Sequence, residues 1–179
     1  MASVDRLSRE QITHAFEALA RELGDTQGPI ELILVGGAAL VLLYGAREST
    51  KDVDAVVRSL EDQQAVVHAA RVVATQLGLP EDWLNDGAKG YLHGLAVGQT
   101  VFESAKLIVR AAAPAQLLAM KLSAWRDDVD VADAALLLAK LQGARDQIWA
   151  QVEPHLVPGR ELKARYAFDD LWDASHGLS

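Results

Sequence analysis

The sequence predicts an α/β chain of the mixed α+β kind: a small mixed β-sheet flanked by helices, followed by a helical C-terminal part. Three observations predict it. The apolar, β-rich run Ile30 to Val35 reads as a buried strand, and Lys51 to Val57, which alternates and then turns wholly apolar, reads as a second strand. Apolar residues at helical spacing lie before, between and after them. From Pro114 onward only helical spacing remains.

The elements follow in order. Ser8-Arg9-Glu10-Gln11 has the form of a capping box, and Ile12, Phe16, Leu19 and Leu23 behind it share one helical face. Turn residues from Gly24 to Pro29 end that helix. The first strand, Ile30 to Val35, stops at Gly36-Gly37, and Ala38 to Tyr44 form a short helix closed by Gly45. Lys51 to Val57 is a second strand with a polar start. Ser59 is positioned to cap a helix whose apolar residues are Leu60, Val66, Val67, Val73 and Leu77. The stretch 81–100 reads as a loop with at most weak strands. Val101-Phe102-Glu103 and Leu107-Ile108-Val109 are two more short strands. Beyond a boundary near Ala112 to Pro114, one helix carries Leu117, Leu118, Lys121, Leu122 and Trp125 on one face. Further helices follow at Val129 to Leu141, Arg145 to Val152 and Glu161 to Trp172. Residues 1–113 are thus a sheet-bearing core with an N-terminal helix, and 114–179 a helical part packed on it as one unit.

Composition narrows the chemistry. The 179 residues include no cysteine, which removes disulfides, thiolate metal sites and a cysteine nucleophile. The net charge of −8 argues against broad coating of nucleic acid, while leaving room for a nucleic-acid substrate held by a local basic patch and a cation. Met1 to Arg6 lacks the layout of a signal peptide, and the apolar stretch Leu32 to Tyr44 is too short to span a bilayer. A cytoplasmic protein without membrane attachment is expected. His14, His68, His93, His155 and His176 are scattered without ligand spacing. Trp83, Trp125, Trp149 and Trp172 are spread out like core residues rather than a base-stacking platform.

The residues that carry chemistry are Gly36, Gly37, Asp52 and Asp54. Side chains two apart on a strand share a face, so Asp52 and Asp54 project together. Two such close carboxylates repel one another, and a divalent cation relieves the repulsion; Mg²⁺ takes oxygen ligands of this kind together with substrate phosphates. Paired glycines at a strand-to-helix turn allow close backbone approach to a phosphate, which the helix dipole favours. Each feature alone is commonplace: Asp-x-Asp is often a solvated strand end, and Gly-Gly a turn. Their order on adjacent elements is what points to a nucleotide site. Arg47 and Lys51 flank the carboxylates, where they either serve phosphates or offset local negative charge. Thr50 is placed to hydrogen-bond its own turn.

The run from Leu34 to Asp54 resembles the nucleotidyltransferase superfamily typified by DNA polymerase β. Gly36-Gly37, Gly45, Arg47, Thr50, Asp52 and Asp54 are similar to its compact bacterial branch, which includes the AbiEii-type and MenT-type toxin nucleotidyltransferases. Leu117 to Asp133, a lysine-bearing helix followed by Arg126 and an Asp-x-x-Asp, resembles that branch as well. The resemblance covers roughly residues 30 to 140. It implies that Gly36 and Gly37 contact a triphosphate and that Asp52 and Asp54 bind Mg²⁺ (or Mn²⁺). It further implies that Lys121 contacts phosphate while Asp130 or Asp133 orients it or gives acid–base help. The implied reaction moves a nucleoside monophosphate from an NTP to an RNA (tRNA) or protein acceptor, in a toxin with a cognate antitoxin.

Two departures keep alternatives open. Many members have Gly-Ser after the first strand where this chain has Gly-Gly. Two-metal chemistry also takes a third carboxylate from a neighbouring strand, and Glu103 is the one acid on the next expected strands. Glu103 is either that third metal ligand or an exposed strand residue. In the latter case the site binds one metal, or the chain is a degenerate nucleotidyltransferase that binds nucleotide or a partner without catalysis. Lys121, read by pattern alone, is equally a lysine snorkelling from an apolar face, and Asp130 and Asp133 a solvated helix face.

Overall fold

Ser8 opens the first helix, α1 (Arg9–Glu22), through a complete capping box: its hydroxyl accepts from the Gln11 N–H at 3.3 Å, and the Gln11 amide oxygen accepts from the Ser8 N–H at 2.9 Å. Ile12, Phe16, Leu19 and Leu23 are all buried. The structure, a computed structural model, describes residues 6–24 and 28–177. Positions 25–27 of the expected turn and positions 1–5 lie outside the described residues.

The protein is a mixed α/β fold with a helical C-terminal part. Its described residues hold seven α-helices, a two-stranded sheet and a five-stranded sheet. They divide into two compact units, one within Met1–Lys89 and Val97–Ala111, the other within Gly90–Ala96 and Ala112–Ser179.

In the first unit, α1 is followed by β2 (Ile30–Leu34), α2 (Gly37–Tyr44), β3 (Ser49–Thr50) and β4 (Val53–Val57). Then come α3 (Gln63–Leu77), β5 (Leu84–Asn85), β6 (Val97–Glu103) and β7 (Leu107–Ala112). The short β1 (Leu7–Ser8) pairs with β3, so Ser49 and Thr50 leave the main sheet and the strand expected from Lys51 begins only at Val53. The main sheet runs β5-β4-β2-β7-β6, with β4 antiparallel to β2 and β7 parallel to it. Register partners project to the same face. Leu32 and Leu34 therefore share one face with Val57, Ala55, Val109 and Ala111, and Ile33 shares the other with Val56 and Arg110. Phe16 of α1 joins the core, its ring 6.3 Å from that of Trp83 and 5.9 Å from that of Phe102. The Trp83 indole N–H donates to the Ala70 carbonyl of α3 at 3.0 Å, so this fully buried ring has its one polar atom satisfied.

Three local expectations are corrected. Ser59 heads a single 3₁₀ turn, Leu60–Asp62, without a side-chain hydrogen bond, and α3 starts only at Gln63. Leu60 (83 % exposed) and Val67 (44 %) consequently lie off the buried face of that helix. The segment read as a loop with at most weak strands contains the short β5, which pairs parallel to β4, and, beyond that reading, most of the longer β6.

In the second unit, α4 (Pro114–Ala124) is the central element and packs against α5 (Asp128–Leu138), α6 (Arg145–Val152) and α7 (Glu161–His176). Pro at its first turn suits a helix start, where no N–H is needed. Trp125 does not continue α4 as expected. It ends the helix in the left-handed region at φ 39°, the one non-glycine residue with positive φ among those described. Gln116, fully buried in α4, accepts from the Ala96 N–H at 2.6 Å and donates to the His93 and Gly94 carbonyls, fastening residues 90–96. Trp149 and Phe168 pack with ring centres 5.2 Å apart, and Phe168 lies 6.0 Å from Trp172.

Candidate functional site

Gly36 lies between β2 and α2, as the N-cap of an entirely apolar helix that no side chain caps. First-turn N–H groups at such an end carry partial positive charge. The Asp54 carboxylate packs directly onto this turn. A Cβ at Gly36 would stand 2.5 Å from Asp54 Oδ2 and 3.0 Å from Asp54 Cβ, so only glycine fits. The neighbouring Gly37 is covered from the other side. A Cβ there would meet Thr50 Oγ1 at 2.8 Å and an Arg47 guanidinium nitrogen at 3.2 Å. The second glycine thus has a packing reason: the buried Thr50 occupies the space that a serine at 37 would need. Arg47 and Thr50 are brought to the turn, while Lys51 is exposed.

Asp52 precedes β4 and Asp54 lies within it, and one short segment meets both. Asn85 Nδ2 donates to Asp52 Oδ2 at 3.4 Å, and the Ala88 N–H donates to Asp54 Oδ1 at 3.1 Å. Asn85 is the register partner of Asp54 across the β4–β5 pair, so the two side chains share a face. Gly87 sits between them: its N–H donates to Asn85 Oδ1 at 2.7 Å, and a Cβ there would lie 2.9 Å from that oxygen and 3.6 Å from Asp54 Oδ1. Asn85, Gly87 and Ala88 were not singled out from sequence. The available signal was the polar, glycine-bearing turn Asn85-Asp86-Gly87 directly after an apolar dipeptide.

Glu103 is not brought to the pair. The turn after β6 closes through the Ser104 N–H to the Leu107 carbonyl at 2.8 Å, and Leu107 is the register partner of Ile30. Asp54 lies at the other end of β2, its carbonyl accepting from the Val35 N–H at 3.0 Å. Five residues of strand separate the two levels, roughly 17 Å, and Glu103 is exposed. On β7, the positions sharing the face of Asp54 include Arg110, which pairs with Glu31 at 3.2 Å; Glu31 also holds Arg58 at 2.6 Å. Among the described residues, no group of three or more His, Cys, Asp and Glu is arranged to hold a metal. The two carboxylates that the Asn85–Ala88 segment holds are Asp52 and Asp54. An all-oxygen pair of this kind fits Mg²⁺ or Mn²⁺, which complete their shells with water and phosphate.

Within the second unit, Lys121 is gripped by two nearly fully buried carboxylates: Asp130 Oδ1 at 2.9 Å and Asp133 Oδ2 at 2.8 Å. Asp130 is neither solvated nor free to turn. Its other oxygen accepts from the Arg126 backbone N–H at 3.1 Å and from Arg126 Nε at 2.9 Å. Burial alone would raise the Asp130 carboxyl, but the hydrogen bonds from Arg126 and Lys121 outweigh it and hold the group well below the usual carboxylate range. Asp127 caps α5 by accepting from the Asp130 N–H at 2.9 Å, which fixes the turn that presents this network.

Residues 10–89 match a family model described as a nucleotidyltransferase of unknown function (DUF6036). That span holds the glycine turn, both aspartates and the Asn85–Ala88 segment. No curated protein and no solved structure matches the chain.

Proposed function

We propose that the chain is a Mg²⁺-dependent nucleotidyltransferase, which moves a nucleoside monophosphate from an NTP to an RNA (tRNA) or protein hydroxyl. The observation that carries this reading is the Asp54 carboxylate seated on the Gly36 turn, with Asp52 held beside it by the same short segment. The similarity of residues 10–89 to a nucleotidyltransferase family supports it. The α2 N-terminus offers N–H groups to the phosphates, while Gly36 and Gly37 let Asp54, Thr50 and Arg47 pack against that turn. Asp52 and Asp54 present oxygens of fixed direction. A divalent cation bound there would neutralise phosphate charge and orient the α-phosphate for in-line attack. The acceptor oxygen then forms a bond to the α-phosphorus, the α–β bridging bond breaks with loss of pyrophosphate, and the hydroxyl proton leaves to water.

The resemblance to the AbiEii-type and MenT-type toxins extends this reading to a toxin that acts beside a cognate antitoxin. It also assigns phosphate contact to Lys121, with Asp130 and Asp133 setting its direction. Incubation with α-labelled NTPs, Mg²⁺ and total RNA or total protein tests the reaction. Transfer by the wild type that is lost in Asp52→Ala is the expected result. No transfer to any acceptor, or equal transfer by the variant, sinks it.

The second reading is a nucleotide-binding protein without turnover, favoured by the placement of Glu103 away from the aspartate pair. It predicts thermal stabilisation by NTP with Mg²⁺ and no product. Such stabilisation follows RT ln(1 + [L]/Kd).

A further inference from the structure

We propose that Asn85 is a positioning residue of the aspartate centre, a neutral donor standing where a third acid is missing, so that the centre takes a single divalent cation. This rests on the reading of Asp52 and Asp54 as cation ligands and assigns a role to a residue outside that pair.

Three bonds fix which end of the Asn85 amide faces the acids. The Gly87 N–H needs an acceptor and meets Oδ1 at 2.7 Å. The Asp82 carbonyl needs a donor and meets Nδ2 at 3.2 Å. The remaining N–H of the same nitrogen points to Asp52 Oδ2 at 3.4 Å. Turning the amide over would set oxygen against two acceptors and nitrogen against a donor, so Asn85 offers the centre a proton donor and not a metal ligand. Its register pairing with Asp54 puts it on the same face as that carboxylate, and the Ala88 N–H three residues on holds Asp54 Oδ1. The segment 85–88 therefore sets the direction of both acids from one side, while the Gly36 turn sets Asp54 from the other.

The count of oxygen donors argues for one cation. Glu103 lies at the other end of β2, and β7 offers an arginine at position 110 on the shared face. Among the described residues no third His, Cys, Asp or Glu joins the aspartate pair, so a second cation would find no carboxylate of its own there. One Mg²⁺ held by two carboxylates, with water and substrate phosphate filling the rest of its shell, is the arrangement these donors support. Groups that orient metal ligands typically alter metal affinity by 10- to 100-fold when removed.

The test is a Mn²⁺ titration of the full chain, read from the paramagnetic resonance signal of the free ion, with metal-free melting temperature and near-ultraviolet circular dichroism as folding controls. Wild type is expected to bind one Mn²⁺ per chain. Asn85→Ala should weaken binding about tenfold. Gly87→Ala, whose new Cβ pushes on Asn85 Oδ1, should do the same by an independent route if the first variant folds poorly. Asn85→Asp, which places a third carboxylate beside Asp54, should bind Mn²⁺ more tightly than wild type; a merely structural asparagine predicts no gain. Two Mn²⁺ per wild-type chain, or Asn85→Ala and Gly87→Ala both at wild-type affinity, overturns the proposal. If Asp54→Ala abolishes binding while Asn85→Ala and Gly87→Ala both leave it intact, this inference falls and the proposed function stands. If Asp54→Ala binds as wild type does, or wild type binds no Mn²⁺, both fall.

Discussion

Replacing Gly36 with alanine tests the seating of Asp54 on the glycine turn. Gly36 has φ −130° and ψ −151°, extended backbone that alanine also adopts, so the perturbation is the added methyl group. That methyl carbon would lie 2.5 Å from Asp54 Oδ2 and 3.0 Å from Asp54 Cβ. Reaching even the tightest tolerated contact of 3.0 Å moves the oxygen by 3.0 − 2.5 = 0.5 Å, and the second contact prevents a rotation of the carboxylate from doing all of the work. Overpacking of this kind costs about 1–3 kcal/mol. A ligand oxygen displaced by a fraction of an ångström lowers transfer by roughly 10- to 100-fold. Urea unfolding and Mn²⁺ titration of Gly36→Ala, Asp54→Ala and the double variant give the assay. The double variant has lost the clashing oxygens, so the stability costs should be non-additive by about 1–2 kcal/mol. Additive costs, or a Gly36→Ala protein with wild-type Mn²⁺ affinity, would refute the packing of Asp54 on Gly36.

Other outcomes follow from the same geometry. Lys121→Met leaves Asp130 and Asp133 buried beside one arginine, and should cost about 3–5 kcal/mol in urea unfolding, whereas a solvent-facing lysine would cost almost nothing. Asp130 is depressed in the folded state, so its contribution to stability is complete above the unfolded value of about 4 and is lost as pH falls below it. Acid titration of stability should therefore be shallower in Asp130→Asn than in wild type; equal slopes below pH 4 would contradict the network. Ser8→Ala removes the hydroxyl half of the α1 capping box and should cost about 1 kcal/mol in the same unfolding assay.

The parts of the protein that were legible in the sequence are those fixed by neighbours along the chain. Gly36-Gly37, the short apolar helix ended by Gly45 at φ 57°, and the polar start of β4 lie within a few residues of one another, and their local chemistry determines them. The contact of Lys121 with Asp130 and Asp133 was implied by the family resemblance alone, since the residue pattern left a snorkelling lysine and a solvated helix face equally open. The two readings of Glu103, third ligand or exposed strand residue, stayed open in the sequence because its position depends on β7 running parallel to β2, which no local pattern encodes. Asn85 was missed for a related reason. It sits on a two-residue strand, too short to show any periodicity, and only its register with Asp54 reveals the shared face. Leu60 and Val67 fitted the helical spacing of α3, but that spacing cannot tell a 3₁₀ turn from a helix start.

In the proposed function the Gly36 turn and the aspartate pair direct chemistry to the α-phosphorus of an NTP. Parallel reactions with α-labelled and γ-labelled NTP, using wild type and Asp52→Ala/Asp54→Ala, distinguish this from other phosphoryl chemistry. Wild type should move the α-label to an acceptor and release the γ-label as pyrophosphate, and the double variant should do neither. Movement of the γ-label to the acceptor, or α-label transfer that survives loss of both aspartates, would contradict it.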